Sequence, residues 1–148
     1  MLSFANHFRF VNGIEIDNLR ESFLRNNVKA YKLRNVSTYC EDSLKMLYKL
    51  KQDVIFIDPP WGGKSYKEYE KLSLKLSGKS LEDICNEHLQ SVKMIVLKLP
   101  LNYDLESFYY SVSSTRMYVY ELKRMFVLVV LNNKLKIKIS KINKLKTK

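Results

Sequence analysis

Glycine and proline are scarce in this sequence, which has four glycines and three prolines among its 148 residues. Such a composition excludes a collagen-like or low-complexity chain. Cysteine and histidine are also rare, and Cys40, Cys85, His7 and His88 stand alone without the spacing of metal ligands. We therefore expect no metal site. We predict that both cysteines are reduced and lie in or near the core of an intracellular protein, nuclear or cytoplasmic.

Long apolar runs are absent, so we expect no membrane span, and the first residues lack the pattern of a signal peptide. Hydrophobic residues make up 46% of the chain, which is enough for the core of one domain. The net charge of +11 favours a polyanionic partner such as RNA. Seven lysines and no acidic residue occur from Asn132 onward. We predict a folded domain over residues 1–132 and a basic tail over residues 133–148, which either contacts RNA or is simply solvated.

The stretch from Asp53 to Gly63 contains the strongest functional signal in the chain. Its apolar run, Val54 to Ile57, predicts a short strand that is buried on both faces, as in a parallel sheet. Asp58 follows at the carboxyl end of this strand, where open α/β sheets bind their ligands. Pro59 and the proline after it have no backbone N–H, and the two glycines that end the stretch allow a tight turn.

Asp58 and the backbone carbonyl of Pro59 make a pair of hydrogen-bond acceptors that suits the exocyclic amine of a nucleobase. Such a pair would hold both amine hydrogens and aim the nitrogen lone pair at an electrophile. Trp61 offers a flat face on which the base can stack. The alternative is an ordinary turn at the end of a strand, with an exposed aromatic side chain.

The string Asp58-Pro59-Pro60-Trp61 resembles the catalytic motif of S-adenosylmethionine-dependent amino-methyltransferases. With Gly62, Gly63 and Tyr66 added, it is similar to the RNA cap guanine-N2 methyltransferases, the trimethylguanosine synthases. Those enzymes typically carry Ser-Pro-Pro-Trp-Gly-Gly, and Asp58 is a mild departure because aspartate also accepts from an amine. The resemblance implies that Asp58 and Pro59 are catalytic, that Asp58 also borders the cofactor, and that Trp61, Tyr66 and Asn102 bind the substrate.

Two acidic residues earlier in the chain match cofactor-binding positions. Phe10 to Ile16 predicts a strand, and Glu15 near its end matches the acidic residue that accepts from ribose hydroxyls in Rossmann-like enzymes. Val36 to Cys40 predicts the next strand. Asp42 after it matches the acidic residue that receives the adenine amine of S-adenosylmethionine in this class of methyltransferases. Asp42 can equally be the N-cap of the following helix, and the two roles can coexist.

Strand and helix signals alternate along the chain, which predicts an α/β fold with a mostly parallel sheet and helices on both faces. One predicted helix, Leu19 to Asn27, has Leu19, Phe23 and Leu24 on its apolar face. The last two strands, Met117 to Lys123 and Phe126 to Leu131, are predicted to form a closing antiparallel pair. The resemblance implies that this is the Rossmann-like fold of class I methyltransferases.

Two features depart from the family pattern. The family has a Leu-Pro-Arg-Asn-like string where this chain has Leu99 to Asn102, so the basic residue is missing. A complete class I methyltransferase also begins with a strand and a glycine-rich turn that are missing here. That strand would be central, so its neighbours either pair directly or leave a gap, unless a second chain supplies it. We therefore expect weak or no binding of S-adenosylmethionine by the chain as given, which calorimetric titration can measure.

The resemblance implies methyl transfer from S-adenosylmethionine to the exocyclic N2 amine of a 7-methylguanosine cap, with capped RNA as the partner. Two alternatives stay open. The first is an N6-adenine methyltransferase, since these enzymes also use Asp-Pro-Pro-Trp. In the enzymes that methylate adenosine in mRNA, however, the cofactor-binding elements mostly follow that motif, whereas Glu15 and Asp42 precede it here. The other alternative is a catalytically dead relic that holds RNA or a protein through Trp61 and the basic tail.

Overall fold

The computed structural model describes residues 1–63, 65–114 and 116–134. The chain divides into two compact units, Met1–Lys51 and Gln52–Lys148. The predicted basic tail lies outside the described residues from position 135 onward, so it stays a prediction. Within the described ranges, no helix combines the length and the hydrophobicity needed to cross a membrane.

The first unit alternates strands and helices. After a short 3₁₀ helix, its elements are β1 (Val11–Glu15), α1 (Asn18–Ala30), β2 (Val36–Cys40) and α2 (Ser43–Lys49). β1 and β2 pair in parallel, with Val11 opposite Val36 and Glu15 opposite Cys40. Parallel strands need a crossover connection, and α1 provides it. The strand and helix order that the sequence predicts for this part of the chain is therefore confirmed.

The buried side of α1 differs from the prediction. Leu19 and Phe23, which the sequence assigns to the apolar face, are exposed, whereas Glu21 is buried. The Glu21 carboxylate accepts hydrogen bonds from Thr38 Oγ1 at 2.7 Å and from Arg25 Nη2 at 2.9 Å. Two donors compensate the cost of burying the charge. The prediction was wrong for Leu19 and Phe23, whereas Leu24, the third residue of the predicted face, is half-buried.

The second unit is built on a four-stranded sheet of order β3-β6-β8-β7. Its elements are β3 (Val54–Ile57), β4 (Lys75–Leu76), β5 (Lys79–Ser80), α3 (Leu81–His88), β6 (Met94–Leu99), α4 (Leu105–Ser111), β7 (Met117–Leu122) and β8 (Met125–Leu131). β3 and β6 are parallel, whereas β8 is antiparallel to both β6 and β7. The predicted α/β class and its closing antiparallel pair are confirmed.

β3 lies at an edge of its sheet, and its two faces differ in burial. Ile55 and Ile57 are buried, but Phe56 is 43% exposed. Successive residues of a strand point to opposite faces, so one face of β3 packs on the core while the other is partly open. The prediction that this strand is buried on both faces was wrong. An apolar run by itself does not tell a central strand from an edge strand.

The core of the second unit is formed by side chains of β6, β8, α3 and α4. Its most deeply buried members are Leu81, Ile84, Cys85, Ile95, Leu97, Leu99, Phe108, Leu128 and Val130. Cys85 is therefore a core residue, as predicted, but Cys40 is exposed at the end of β2, so the prediction for it was wrong. Burial, helped by the charge of Glu82, raises the pKa of the Cys85 thiol to about 12.

Core packing predicts the cost of truncating Leu97. This side chain is 0% exposed, whereas Leu122 in the same sheet is 48% exposed. Leu97→Ala should lower the free energy of unfolding by about 2–5 kcal/mol, because it leaves a cavity as well as losing buried area. Leu122→Ala should cost less than about 1 kcal/mol. Urea unfolding monitored by circular dichroism measures both, and equal losses would contradict the burial described here.

The two cysteines should differ in thiol reactivity. The thiolate is the reactive form, and a pKa raised to about 12 keeps the Cys85 thiol neutral at mildly alkaline pH. A thiol-specific reagent should therefore modify Cys40 quickly and Cys85 only after denaturation. Cys40→Ser should remove the fast phase, and Cys85→Ser should leave it unchanged. A fast phase that involves both thiols would show that α3 is not packed as described.

Candidate active site

The loop that follows β3 leaves the sheet at the carboxyl end of a parallel strand pair, in which Ile57 and Leu97 are the last matched residues. Asp58 is exposed at this point, and Pro59 is buried. Gly62 and Gly63 have φ angles of 92° and 70°, a region that residues with a Cβ rarely adopt. The two glycines thus turn the chain where the sequence predicts a turn, at the edge where α/β sheets bind ligands.

Lys98, a residue of β6, connects Asp58 with Trp61. Its ammonium Nζ lies 2.7 Å from Asp58 Oδ2 and 5.5 Å from the centroid of the Trp61 ring. Its backbone carbonyl accepts a hydrogen bond from Trp61 Nε1 at 3.3 Å. One strand residue therefore holds both the carboxylate and the indole that the sequence singles out, and it brings them to the same place.

Sequence reasoning missed Lys98, although a signal was present. It is the single charged residue in β6, which otherwise reads Met-Ile-Val-Leu and Leu. A charge in a largely buried strand needs a partner, and an acidic residue after the neighbouring strand is the natural candidate.

The contacts of the Lys98 ammonium are weak enough to be broken at low cost. The Lys98 and Asp58 side chains are 31% and 47% exposed, so water screens their ion pair. Exposed pairs contribute up to about 1 kcal/mol. A cation over a partly exposed aromatic ring adds roughly 0.5–1 kcal/mol. The ammonium therefore arranges the side chains of the site without locking them.

Tyr66 packs against the indole of Trp61 in an edge-to-face contact, with ring centroids 5.4 Å apart and an interplanar angle of 73°. Tyr66 belongs to a short 3₁₀ helix, Ser65–Glu68. The Nδ2 of Asn102 holds this segment by donating to the carbonyls of Tyr66 at 2.7 Å and Tyr69 at 2.8 Å. The structure thus brings together Trp61, Tyr66 and Asn102, and it uses the Asn102 amide to position the loop.

In the first unit, Glu15 and Asp42 lie at the carboxyl end of the β1–β2 pair. Glu15 Oε1 accepts from the backbone N–H of Asp17 at 3.1 Å. Asp42 Oδ1 accepts from the backbone N–H of Leu44 at 2.8 Å, so Asp42 is the N-cap of α2. Two carboxylates at one sheet edge are acceptors of the kind that ribose hydroxyls and an adenine amine need, so this pair of acceptors fits the adenosine part of S-adenosylmethionine.

The site of the second unit offers hydrogen-bond acceptors beside two aromatic rings. Asp58 and the Pro59 carbonyl can accept from an amine, and the indole of Trp61 can stack on a flat heterocycle. No group of three or more His, Cys, Asp or Glu side chains is arranged to hold a metal in the part of the chain that the structure describes. The arrangement suits recognition of an amine on a flat ring.

The strand and helix order, the two parallel pairs and the acidic loop at a strand end define the fold of a Rossmann-like class I methyltransferase. Precorrin-6y C5,15-methyltransferase from Geobacter metallireducens matches with a TM-score of 0.54 and 18% identity, covering 83% of this chain and 67% of that one. A protein of Haemophilus influenzae described as a methylase matches with a TM-score of 0.54 and 15% identity, covering 88% and 77%. At these identities the likeness shows the fold alone.

The chain belongs to the RNA cap guanine-N2 methyltransferase family, whose family model matches residues 1–146. An uncharacterized protein of Acanthamoeba polyphaga mimivirus is 38% identical over 135 residues, which are 88% of this chain and 53% of that protein. The chain thus spans about half the length of this curated relative. The resemblance inferred from the residues between Asp58 and Tyr66 is confirmed at the level of the family.

The role of Asn102 in positioning the loop predicts a change in proteolysis. Asn102→Ala removes two hydrogen bonds to loop carbonyls and should raise the rate of tryptic cleavage at the exposed Lys67 and Lys71. Two bonds of about 1 kcal/mol each imply an increase of up to roughly thirtyfold in the open population. The increase in the open population should be smaller than this, because the substitution also removes Asn102 Oδ1. That oxygen is buried without a hydrogen-bond partner among the described residues, so its removal offsets part of the lost stability.

Asn86→Ala is the matched control for this experiment. Asn86 also makes two backbone contacts, from Nδ2 to the Ser111 carbonyl at 2.9 Å and from the Ser113 N–H to Oδ1 at 2.8 Å. It holds a different segment of the same unit, so cleavage at the two loop lysines should not change. Equal acceleration in both variants would mean general destabilisation rather than release of the loop.

Proposed function

We propose that this chain takes part in methyl transfer from S-adenosylmethionine to the exocyclic N2 amine of a 7-methylguanosine RNA cap. The proposal is supported by the family to which the chain belongs. The observation that carries it is the pairing of Asp58 and Trp61 through Lys98, at 2.7 Å from the carboxylate and 5.5 Å from the ring centroid. An acceptor and a stacking surface side by side are what an amine on a purine requires.

Asp58 and Pro59 orient the amine in this proposal. The Asp58 carboxylate accepts one amine hydrogen, and the Pro59 carbonyl accepts the other. S-adenosylmethionine, when bound, supplies the methyl group on a sulfonium, which is already a strong electrophile. The residues of the chain therefore contribute mainly by holding the amine in the correct direction, since the amine loses its proton during or after attack.

Trp61 and Tyr66 bind the base. The 7-methylguanine ring carries a positive charge, so cation–π attraction to the indole adds to stacking. Tyr66 supports the indole through the edge contact, with centroids 5.4 Å apart. The net charge of +11, with seven lysines from Asn132 onward, favours a longer RNA as the natural substrate over a free nucleotide.

Glu15 and Asp42 hold the adenosine part of the cofactor in this proposal. Glu15 would accept from the ribose hydroxyls, and Asp42 would accept from the adenine amine in addition to capping α2. Asp58 borders the methyl donor as well as the target amine. Asp42 can serve both roles because a carboxylate has several lone pairs.

The decisive experiment measures methyl transfer to capped RNA and locates the added mass on the nucleoside. With S-adenosylmethionine supplied in large excess, because we expect this chain to bind it weakly, the expected product is 7-methylguanosine with an added N2-methyl group, absent with Asp58→Ala. An arm with uncapped, adenosine-containing RNA tests the second candidate, an N6-adenine methyltransferase. Aspartate at position 58, where the cap family typically has serine, favours that candidate. Methyl groups on adenosine and none on the cap would replace the proposal.

Trp61→Ala tests the stacking role. Loss of the indole should weaken binding of a 7-methylguanosine cap by roughly 1–3 kcal/mol, the usual worth of a base stacked on an aromatic side chain. Equilibrium dialysis with labelled 7-methyl-GTP measures this affinity. Tyr110→Ala, which removes an exposed aromatic ring of α4 in the same unit, should leave it unchanged. An unchanged affinity in Trp61→Ala would reject the base-binding role of the indole.

A further inference from the structure

The Lys98 ammonium occupies the position between the two groups that the proposed function assigns to the substrate base. It donates to Asp58 Oδ2 at 2.7 Å and lies over the Trp61 ring, 5.5 Å from its centroid. We propose that Lys98 is a specificity-determining residue: its ammonium holds the place of the target amine, and a purine binds by displacing it. This inference rests on the proposed function of the site.

The displacement follows from the contacts. An amine that donates to Asp58 Oδ2 from a base stacked on the ring face beneath the ammonium needs the acceptor and the ring face that Lys98 already uses. A cationic base cannot share that face with an ammonium without repulsion between like charges. The side chain of Lys98 must therefore turn away when a 7-methylguanine ring enters.

The backbone and the side chain of Lys98 have separate roles, so this movement leaves the site intact. Lys98 is paired with Val127 across the β6–β8 register, which fixes its backbone. Its carbonyl holds the indole N–H of Trp61 at 3.3 Å. The ammonium, by contrast, sits at the end of a flexible stem in a partly solvated pair. Replacing the side chain should therefore remove the competing cation and keep the indole anchored.

Removal of the ammonium should also change the preference of the site for charge. With Lys98 present, the negative charge of Asp58 is already balanced. Without it, Asp58 attracts a cationic base more strongly than a neutral one. Lys98→Met should thus increase affinity for 7-methylguanosine more than affinity for guanosine. Lys98→Arg should lower both affinities, because a planar guanidinium can bind the carboxylate in a bidentate manner and stack on the ring.

The chain contains a matched control at the other end of the same strand pair. Lys93 Nζ lies 2.7 Å from Asp53 Oδ1, and both residues directly precede their strands. Asp58 and Lys98 stand at the carboxyl end of that pair. Lys93→Met therefore makes the same change in net charge and breaks an ion pair of the same length, away from Trp61. Its effect on affinity measures the general electrostatic contribution alone.

Trp61 is the single tryptophan of the chain, so its fluorescence reports directly on stacking. The full chain is titrated with 7-methylguanosine and with guanosine at mildly acidic pH, where the 7-methylguanine ring carries its charge. Nucleosides are used because they have no phosphate that a lysine could bind. We expect Lys98→Met to bind 7-methylguanosine about threefold to tenfold more tightly than the wild type, with a smaller gain for guanosine. Lys93→Met should match the wild type.

Three results would overturn the inference. In the first, Lys98→Met binds 7-methylguanosine no more tightly than the wild type does. In the second, Lys93→Met gains as much affinity for 7-methylguanosine as Lys98→Met. In the third, Lys98→Met gains the same affinity for guanosine as for 7-methylguanosine. In each of these cases the wild type still binds and the proposed function stands. If neither nucleoside binds to the wild type or to Lys98→Met, the base-binding role of Trp61 fails, and the proposed function fails with the inference.

Discussion

The pairing of β3 with β6, which brings Lys98 beside Asp58 and Trp61, is the constraint on which the candidate site depends. The parallel register of β3 and β6 places Ile57 opposite Leu97, so the next residues on both strands meet although they are 40 positions apart in the chain. β6 is paired on both sides, with β3 and with β8, so its backbone is firmly held. The carboxylate, the indole and the ammonium therefore take their positions from a strand that is paired on both sides.

Charge balance explains why an aspartate fits at position 58. A serine, typical of the cap methyltransferases at this place, would bring no charge, whereas Asp58 brings one that Lys98 neutralises at 2.7 Å. Lys93 and Asp53 make a second ion pair of the same length at the other end of the two strands. The first lies beside the Trp61 ring and the second does not.

Much of the fold could be predicted from local patterns in the sequence. Apolar runs bounded by loop signals identify β3 and β6, and the capping role of Asp42 follows from its place before a helix. The predictions failed where burial depends on neighbours that are distant in the chain. Phe56 is 43% exposed on the open face of β3, and Glu21 is buried because Thr38 and Arg25 supply donors to it.

The sequence by itself determined the alternation of strands and helices, the family, and the acidic loop with its tryptophan. Those features are local, since a run of residues and its turn signals specify them without reference to the rest of the chain. Only the tertiary structure decided that Lys98 meets Asp58 and Trp61, and that Asn102 holds the Tyr66 loop. Such contacts depend on strand order and register, which arise from the pairing of distant segments and leave no local pattern.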